Sequence, residues 1–196
     1  MRLITHETKA SRLTLIFFVT YLLTFSCYGQ RLHGDMRGSV DKRRNRYGSP
    51  IEEWNPALEG AQQRLLRAEP YLLGPSERES VLSVIQDVCK HRNWQLLATH
   101  VRATHVHVVA SGAATPEAML QTFKAYATRN LSYRDGAKRP RWAGHGSTLY
   151  LWSPKAIAAA CDYVVNHQGA PMSVFTDRRQ PVTNAPGTPP GFRTRA

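Results

Sequence analysis

Apolar residues recur with the period of a helix in three stretches of the chain. The first is GPSERESVLSVIQDVCKHRN, in which Ser76 and Glu79 form a predicted capping box. The second is TPEAMLQTFKAYATRNL, which begins at the cap Thr115. The third is SPKAIAAACDYVVNHQG, which Ser153 caps and Gly169 closes. These patterns predict three helices, each with one apolar stripe that faces a common core.

Short runs rich in β-branched and aromatic residues predict strands between and before these helices. RLTLIFFVTYLLTF predicts a first strand over residues 13–26, and GHGSTLYLW predicts a last one. Between them, WQLLATHV and HVHVVA are joined by Arg102, Ala103 and Thr104, which predicts a hairpin. The order strand, helix, strand, strand, helix, strand, helix favours an α+β fold. We expect a ferredoxin-like sandwich, in which helices pack on a small, mostly antiparallel sheet.

The first apolar run has a second interpretation as a secretory signal peptide, because it follows a basic start and precedes SCYGQ. It is too short for a transmembrane helix, and its local pattern suits a buried strand equally well. The cysteines bear on the compartment. Cys27, Cys89 and Cys161 are far apart and odd in number, so they form no disulfide framework and no paired zinc motif. This usage favours a reducing cytoplasm.

The length and composition of the chain set its organisation. A chain of 196 residues suffices for one buried domain with extensions, which we place at residues 1–172. Within it, residues 29–75 are a glycine-punctuated basic loop region. Residues 173–196 are a tail rich in Pro, Gly, Thr and Arg, with too few apolar residues to fold. The net charge of +12 predicts a polyanionic partner, and charge alone does not separate nucleic acid from an anionic membrane.

Two histidines and a tyrosine are candidates for chemistry. His105 and His107 alternate along a predicted strand, so both imidazoles project from one face and can converge on a divalent ion. In the third helix, Tyr163 and His167 lie four residues apart and so share one face. This spacing places a phenol beside a metal whose coordination His167 or Gln168 would complete. The ordinary alternative is a pair of hydrogen-bonded histidines and a tyrosine at the margin of the core.

The His-hydrophobic-His strand, the basic middle helix and the late helix with YVVNHQG together resemble the HUH-type single-tyrosine transposases. That family includes insertion-sequence transposases and REP-associated tyrosine transposases. The early stretch YGQRLHGDMRGSVD is also similar to a segment of a REP-associated-like branch, and the resemblance covers residues 14–172. It implies a cytoplasmic, metal-dependent enzyme that cleaves and rejoins single-stranded or hairpin DNA through a 5′-phosphotyrosine link. It also implies that residues 13–26 are a strand and are not removed.

The resemblance carries over to individual residues. His105 and His107 match the paired ligands of a Mg²⁺ or Mn²⁺ ion, and Tyr163 matches the nucleophile. The third ligand of the family is a polar residue about one turn after the tyrosine. His167 has the matching spacing and Gln168 has the matching side-chain type, so both stay candidates. The metal has a chemical purpose, because a phenol with a pKa of about 10 is a poor nucleophile at neutral pH unless a cation polarises the phosphate.

Basic and aromatic residues elsewhere fit a DNA partner. The predicted phosphate contacts are Arg43, Arg44, Arg46, Lys124, Arg129, Lys138, Arg139 and Arg141, and the predicted stacking residues are Tyr47, Tyr133 and Trp142. Each has an ordinary alternative as a solvated surface residue. The rival function is a basic nucleic-acid-binding protein, secreted or cytoplasmic, that does not cleave; a decayed or host-retained transposase falls in this class. We expect no membrane partner, and monomer and homodimer both stay open.

Overall fold

A computed structural model of the chain describes residues 18–30 and 55–177. In chain order these residues form β1 (Val19–Ser26), α1 (Pro56–Arg64), α2 (Pro75–His91), β2 (Gln95–Val101), β3 (His105–Gly112), α3 (Pro116–Asp135), β4 (Ser147–Leu151), α4 (Pro154–Asn166) and β5 (Ser173–Thr176). The five strands make one sheet in the order β4-β1-β3-β2-β5, and every neighbouring pair is antiparallel. The predicted α+β fold with helices packed on a small antiparallel sheet is therefore confirmed.

The sheet separates two apolar layers. One face packs against α2 and α3, and the other packs against α4. Side chains alternate along β1, so Leu23 and Phe25 join the first layer and Leu22 joins the second, beside Cys161 and Val164 of α4. The polar residues on this face of the sheet therefore lie between the sheet and α4.

Strand β1 lies inside the sheet, because it pairs with β3 on one edge and with β4 on the other. Its side chains from Thr20 to Phe25 are buried. Phe18, just before the strand, is 60% exposed. Of the strand predicted over residues 13–26, the part that is described thus forms β1 from Val19 onwards, and residues 13–17 lie outside the described residues.

Helix α2 begins at a different cap from the predicted one. Pro75 occupies the first helical position, and the Glu77 carboxylate accepts a hydrogen bond from the Gly74 N–H at 2.7 Å. Ser76 and Glu79 were expected to form the capping box, but Ser76 already lies within the helix and its hydroxyl accepts from Arg134. The hairpin of β2 and β3 and the caps Thr115 and Ser153 agree with the prediction.

Two segments expected to lack regular structure are ordered. The basic loop region predicted at residues 29–75 contains α1, which Asn55 caps by accepting from the Leu58 N–H at 3.0 Å. No residue of α1 is buried, so its sequence has no apolar stripe to reveal it. The tail predicted to begin at residue 173 instead begins with β5, which pairs with β2. Its pairing with β2 and the packing of Phe175 against the first apolar layer hold this short strand.

The three cysteines of the chain lie within the described residues. Cys27, Cys89 and Cys161 are all buried thiols without disulfide partners. Burial raises the pKa of Cys27 and Cys89 to about 12 and that of Cys161 to about 11, so all three are unreactive thiols at neutral pH. No helix in residues 18–30 or 55–177 has the length and hydropathy needed to cross a membrane.

Candidate active site

A row of polar side chains crosses the sheet on the face that α4 covers. Ser147 pairs with Thr24, Thr24 with His107, and His107 with His100, so the four residues lie side by side on adjacent strands. All four are buried, with exposures from 0% for His100 to 9% for Ser147. Buried polar groups are costly unless they are hydrogen-bonded. This row therefore marks a specific polar site within an apolar interface.

The two histidines of β3 and the tyrosine of α4 meet at this row. The rings of His105 and His107 have centroids 4.8 Å apart and lie edge to face. The Tyr163 ring lies 5.7 Å from the His107 ring, also edge to face. His107 is buried and its two ring neighbours are partly exposed. The structure therefore brings the three predicted residues together at the margin of the α4 interface.

Threonine hydroxyls orient both imidazoles. The Thr24 hydroxyl lies 2.8 Å from Nδ1 of His107, and the Thr104 hydroxyl lies 2.9 Å from Nδ1 of His105. A partner at one ring nitrogen fixes the tautomer and turns the other nitrogen, Nε2, towards a ligand. Sequence reasoning missed both roles: Thr104 was read as a turn residue, and Thr24 as one residue of an apolar strand.

Helix α4 positions Tyr163 by its neighbours. Ala160, Cys161 and Val164 are buried against the sheet, which leaves Tyr163 half-buried at the side of the helix nearest His107. The helix ends at Asn166, and the N–H of the cap His167 donates to the Tyr163 carbonyl at 3.2 Å. The nucleophile candidate thus lies in the last turn of a helix that is anchored on one face.

The two candidates for a third ligand lie just beyond the helix. Nε2 of His167 is 2.9 Å from a carboxylate oxygen of Asp162, so this imidazole already has an acidic partner. The Gln168 side-chain amide donates to the Tyr163 carbonyl at 3.2 Å, next to the site. Across the described ranges, no group of three or more His, Cys, Asp or Glu side chains could hold a metal. A third ligand from that part of the chain would therefore be of another type, such as an amide.

His100 is a site residue that sequence reasoning missed. Its Nδ1 donates to the Val164 carbonyl at 3.0 Å, and its Nε2 accepts from the Met172 N–H at 3.1 Å. These two bonds require the neutral imidazole with its proton on Nδ1. Burial is the largest cause that lowers the pKa of His100, which favours the same neutral form. The clue in the sequence was the hairpin register, which sets His100 opposite His107.

Lys124 is buried, which corrects its prediction as a surface phosphate contact. Only 6% of the residue is exposed, and its ammonium donates to the carbonyls of Ala143 at 2.8 Å and His145 at 2.9 Å. Burial lowers the pKa of Lys124 to about 8. The helix periodicity placed this residue off the apolar stripe, but its long stem reaches past Phe25 to the loop that precedes β4. Its contacts fix that loop.

Arg141 is also buried, which corrects its prediction as a DNA contact. Its guanidinium donates to both carboxylate oxygens of Asp135, at 2.6 and 2.7 Å, and to the Tyr71 hydroxyl at 2.6 Å. The hydrogen bond from Arg141 is the largest cause that lowers the pKa of Asp135, to about 2. Trp142 was expected to stack on a base, but it packs against Phe25 with ring centroids 5.0 Å apart. Both residues stabilise the fold.

The remaining basic candidates lie at the surface or outside the described residues. Arg129, Lys138 and Arg139 are exposed, and Arg139 lies 4.6 Å from the centre of the Tyr71 ring. Tyr133 is 91% exposed, as expected of a stacking residue. Four other candidates lie outside the described residues, namely Arg43, Arg44, Arg46 and Tyr47. Their roles stay predictions.

Comparison with known proteins gives a distant structural likeness. No protein-family model matches the chain, and no curated protein matches it. Among solved structures, it is similar to a REP-associated tyrosine transposase bound to a REP hairpin, with 12% sequence identity and a TM-score of 0.45. The alignment covers 76% of this chain and 66% of that chain, just under two thirds of its length. A likeness at this level carries no conclusion about activity.

Proposed function

We propose that this chain is a metal-dependent enzyme that cleaves and rejoins single-stranded DNA, with Tyr163 as the nucleophile. The observation that carries the proposal is the convergence of Tyr163 with His105 and His107. The ring centroids of Tyr163 and His107 are 5.7 Å apart, and those of His107 and His105 are 4.8 Å apart. Two imidazoles and one phenol at the edge of a buried polar row are the parts that such a reaction needs. The resemblance noted in the sequence has the same three residues in these roles.

The donor atoms around the histidines fit a divalent ion. Nδ1 of each imidazole has a threonine partner, so Nε2 of His105 and Nε2 of His107 would be the ligating atoms. We choose Gln168 over His167 as the third ligand, because His167 pairs with Asp162 while Gln168 bonds the Tyr163 carbonyl through its nitrogen, which leaves its oxygen to bind. The amide oxygen is a ligand type that suits Mn²⁺ or Mg²⁺. When bound, the ion polarises the scissile phosphate.

The tyrosine supplies the covalent step. Its phenolic oxygen forms a bond to phosphorus, and the bond from phosphorus to the 3′ oxygen breaks. The phenol gives up one proton and the departing 3′ oxygen takes one, so the step needs no oxidant or reductant. The products are a 5′-phosphotyrosine and a free 3′-hydroxyl. Because the new bond keeps the phosphodiester energy, attack by a 3′-hydroxyl rejoins the strand without ATP.

The surface of the chain supports a DNA substrate. The net charge of +12 provides the electrostatic attraction to phosphates. Exposed cations lie near aromatic rings on α3. Arg129 lies over the partly buried Tyr126 ring at 5.0 Å, and the exposed Tyr133 follows Arg129 by one turn. Such rings stack on unpaired bases, which a duplex does not offer. We therefore propose single-stranded or hairpin DNA as the substrate.

A covalent-capture experiment tests this function. Full-length protein is incubated with labelled hairpin DNA from the flanks of its own gene, with and without Mn²⁺, and adducts are separated under denaturing conditions. We expect a metal-dependent adduct with the wild-type protein and none with Tyr163→Phe, which keeps the ring and the fold. DNA binding without any adduct in the wild type would instead support the rival, non-cleaving function.

A further inference from the structure

Arg102 lies in the candidate site, although its sequence position indicated only a turn. Its backbone N–H donates to the His105 carbonyl at 2.9 Å, so it directly faces His105 across the hairpin. It also follows His100 by two residues, and alternation along the chain places both on the face covered by α4. Its guanidinium confirms this side, because Nη1 donates to the Ala170 carbonyl at 2.9 Å, just beyond the end of α4.

The described residues around Arg102 supply no acidic side chain. Within the part of the chain that the structure describes, no Asp or Glu lies within ion-pair distance of this guanidinium. The other contact of Nη1 is Nε2 of the neutral His100, at 3.4 Å. By contrast, Arg139 and Arg141 share the carboxylate of Asp135. Among the described residues, Arg102 is therefore a half-buried cation next to His100 with no acidic partner.

A half-buried guanidinium without a counter-charge is suited to an anionic ligand. Burial weakens its hydration, and an anion that accepts two parallel hydrogen bonds offsets that loss best. A guanidinium has five N–H donors, and the Ala170 carbonyl engages one atom of the fork. The backbone of Gly169 is close to Nη2, because a Cβ added there would lie 3.6 Å from it. An anion at this fork would lie between the hairpin and the Gln168 segment.

We propose that Arg102 binds the scissile phosphate of the DNA and stabilises its charge during transfer to Tyr163. The inference rests on the proposed function for the identity of the anion. Its chemical basis is that an arginine fork matches two phosphate oxygens and remains charged at all physiological pH values. In phosphoryl transfer, a fixed cation at the equatorial oxygens lowers the barrier without any covalent role. Arg102 would thus act with the His105 and His107 metal site on one phosphate.

The binding test compares Arg102→Gln and Arg102→Lys with a matched control, Arg92→Gln. Arg92 is an exposed arginine after α2, on the opposite side of the sheet from α4. Affinity of the full-length proteins for a labelled single-stranded hairpin oligonucleotide is measured over a series of salt concentrations. Loss of one phosphate contact should reduce the slope of log affinity against log salt by about 0.7. We expect this reduction for Arg102→Gln and a retained slope for Arg102→Lys and Arg92→Gln.

The kinetic test uses the same proteins in single-turnover adduct formation. We expect Arg102→Gln to slow this step on the order of 100-fold, as loss of one charge-stabilising donor does, and Arg102→Lys to recover part of the rate. A role limited to holding the Ala170 carbonyl predicts a different result. Both variants would then show lower thermal stability, with an unchanged salt slope and a common rate.

The outcomes separate this inference from the proposed function. An unchanged salt slope for Arg102→Gln, or an adduct formed at the wild-type rate, overturns the role of Arg102 even if Tyr163 is the nucleophile. A slope that depends on Arg102 in a wild-type protein that forms no adduct supports the phosphate site and overturns the cleavage proposal. A wild-type protein that does not bind the oligonucleotide overturns both.

Discussion

At the scale of single residues, the sequence predicts the convergence of His105, His107 and Tyr163 but not the hydrogen-bond partners of the two imidazoles. His105 and His107 are predictable because two imidazoles within a valine-rich strand have no packing purpose and alternation puts them on one face. The partner Thr24 lies 83 positions away in sequence, so only the strand register reveals it. Lys124 and Arg141 were assigned to the surface by their charge, yet each is buried because specific oxygen acceptors surround it.

Replacement of Thr24 by Val tests the support of His107 at this scale. The change keeps the shape and removes the hydroxyl that holds Nδ1. Because such partners set the orientation of a ligating imidazole, we expect a 10- to 100-fold higher Mn²⁺ concentration for half-maximal adduct formation, to order of magnitude. The control is Thr20→Val, the same change four residues earlier on β1. An equal metal requirement in the two variants would contradict the role of Thr24.

Lys124 gives a pH-dependent prediction. Burial lowers its pKa to about 8 in the folded chain, whereas an unfolded lysine titrates near 10.5. Between these values the unfolded state binds more protons, so the free energy of unfolding rises with pH. We expect wild type to gain about 2 kcal/mol relative to Lys124→Met between pH 7 and pH 10. Urea unfolding at the two pH values measures this difference, and parallel curves for the two proteins would show that Lys124 is not desolvated.

At the scale of elements, apolar periodicity predicts the helices that pack on the sheet and misses the elements that have no apolar period. Helices α2, α3 and α4 were predictable because each buries an apolar stripe. Helix α1 has no buried residue and β5 is only four residues long, so neither shows an apolar period. The end of α4 could not be predicted either, because the Val164 carbonyl in its last turn finds its hydrogen-bond partner in His100 of β2.

The His100→Leu variant tests this link between β2, α4 and the segment that leads into β5. Leucine fills the space but leaves the Val164 carbonyl and the Met172 N–H without their partner. Each unsatisfied buried group costs about 1–3 kcal/mol, so for the two groups together we expect a loss of about 2–6 kcal/mol in the free energy of unfolding. Chemical denaturation measures this, with His91→Leu on the exposed end of α2 as the control. Equal stability of the two variants would show that these bonds contribute little.

At the scale of the whole molecule, β1 is the segment for which the sequence offered two interpretations. The pattern of residues 13–26 suited a signal peptide and a strand equally well, because both need an unbroken apolar run. The structure favours the strand, since the described part of this run forms β1, which lies between β3 and β4 and forms ladders with both. A chain without β1 would leave β4 with no strand partner in the described sheet.

The protein made from the full gene should therefore keep residues 13–26. Removal of this run would take Leu23 and Phe25 out of the core that they form with α2 and α3, and it would remove the ladders of β1 with β3 and β4. We therefore expect no cleavage before Tyr28. Intact-mass measurement of the purified product reports its N-terminus directly. A mature N-terminus near Tyr28 would contradict both the strand and the cytoplasmic prediction.

The most direct test of the central claim is tandem mass spectrometry of the covalent protein–DNA adduct, after nuclease trimming, to identify the linked residue. The account predicts a nucleotide on Tyr163 alone among the eight tyrosines of the chain. It also predicts that His105→Ala and His107→Ala lose this adduct and regain part of it in excess Mn²⁺, because they lose only metal affinity. Linkage to another residue, or an adduct that persists in Tyr163→Phe, would contradict the mechanism.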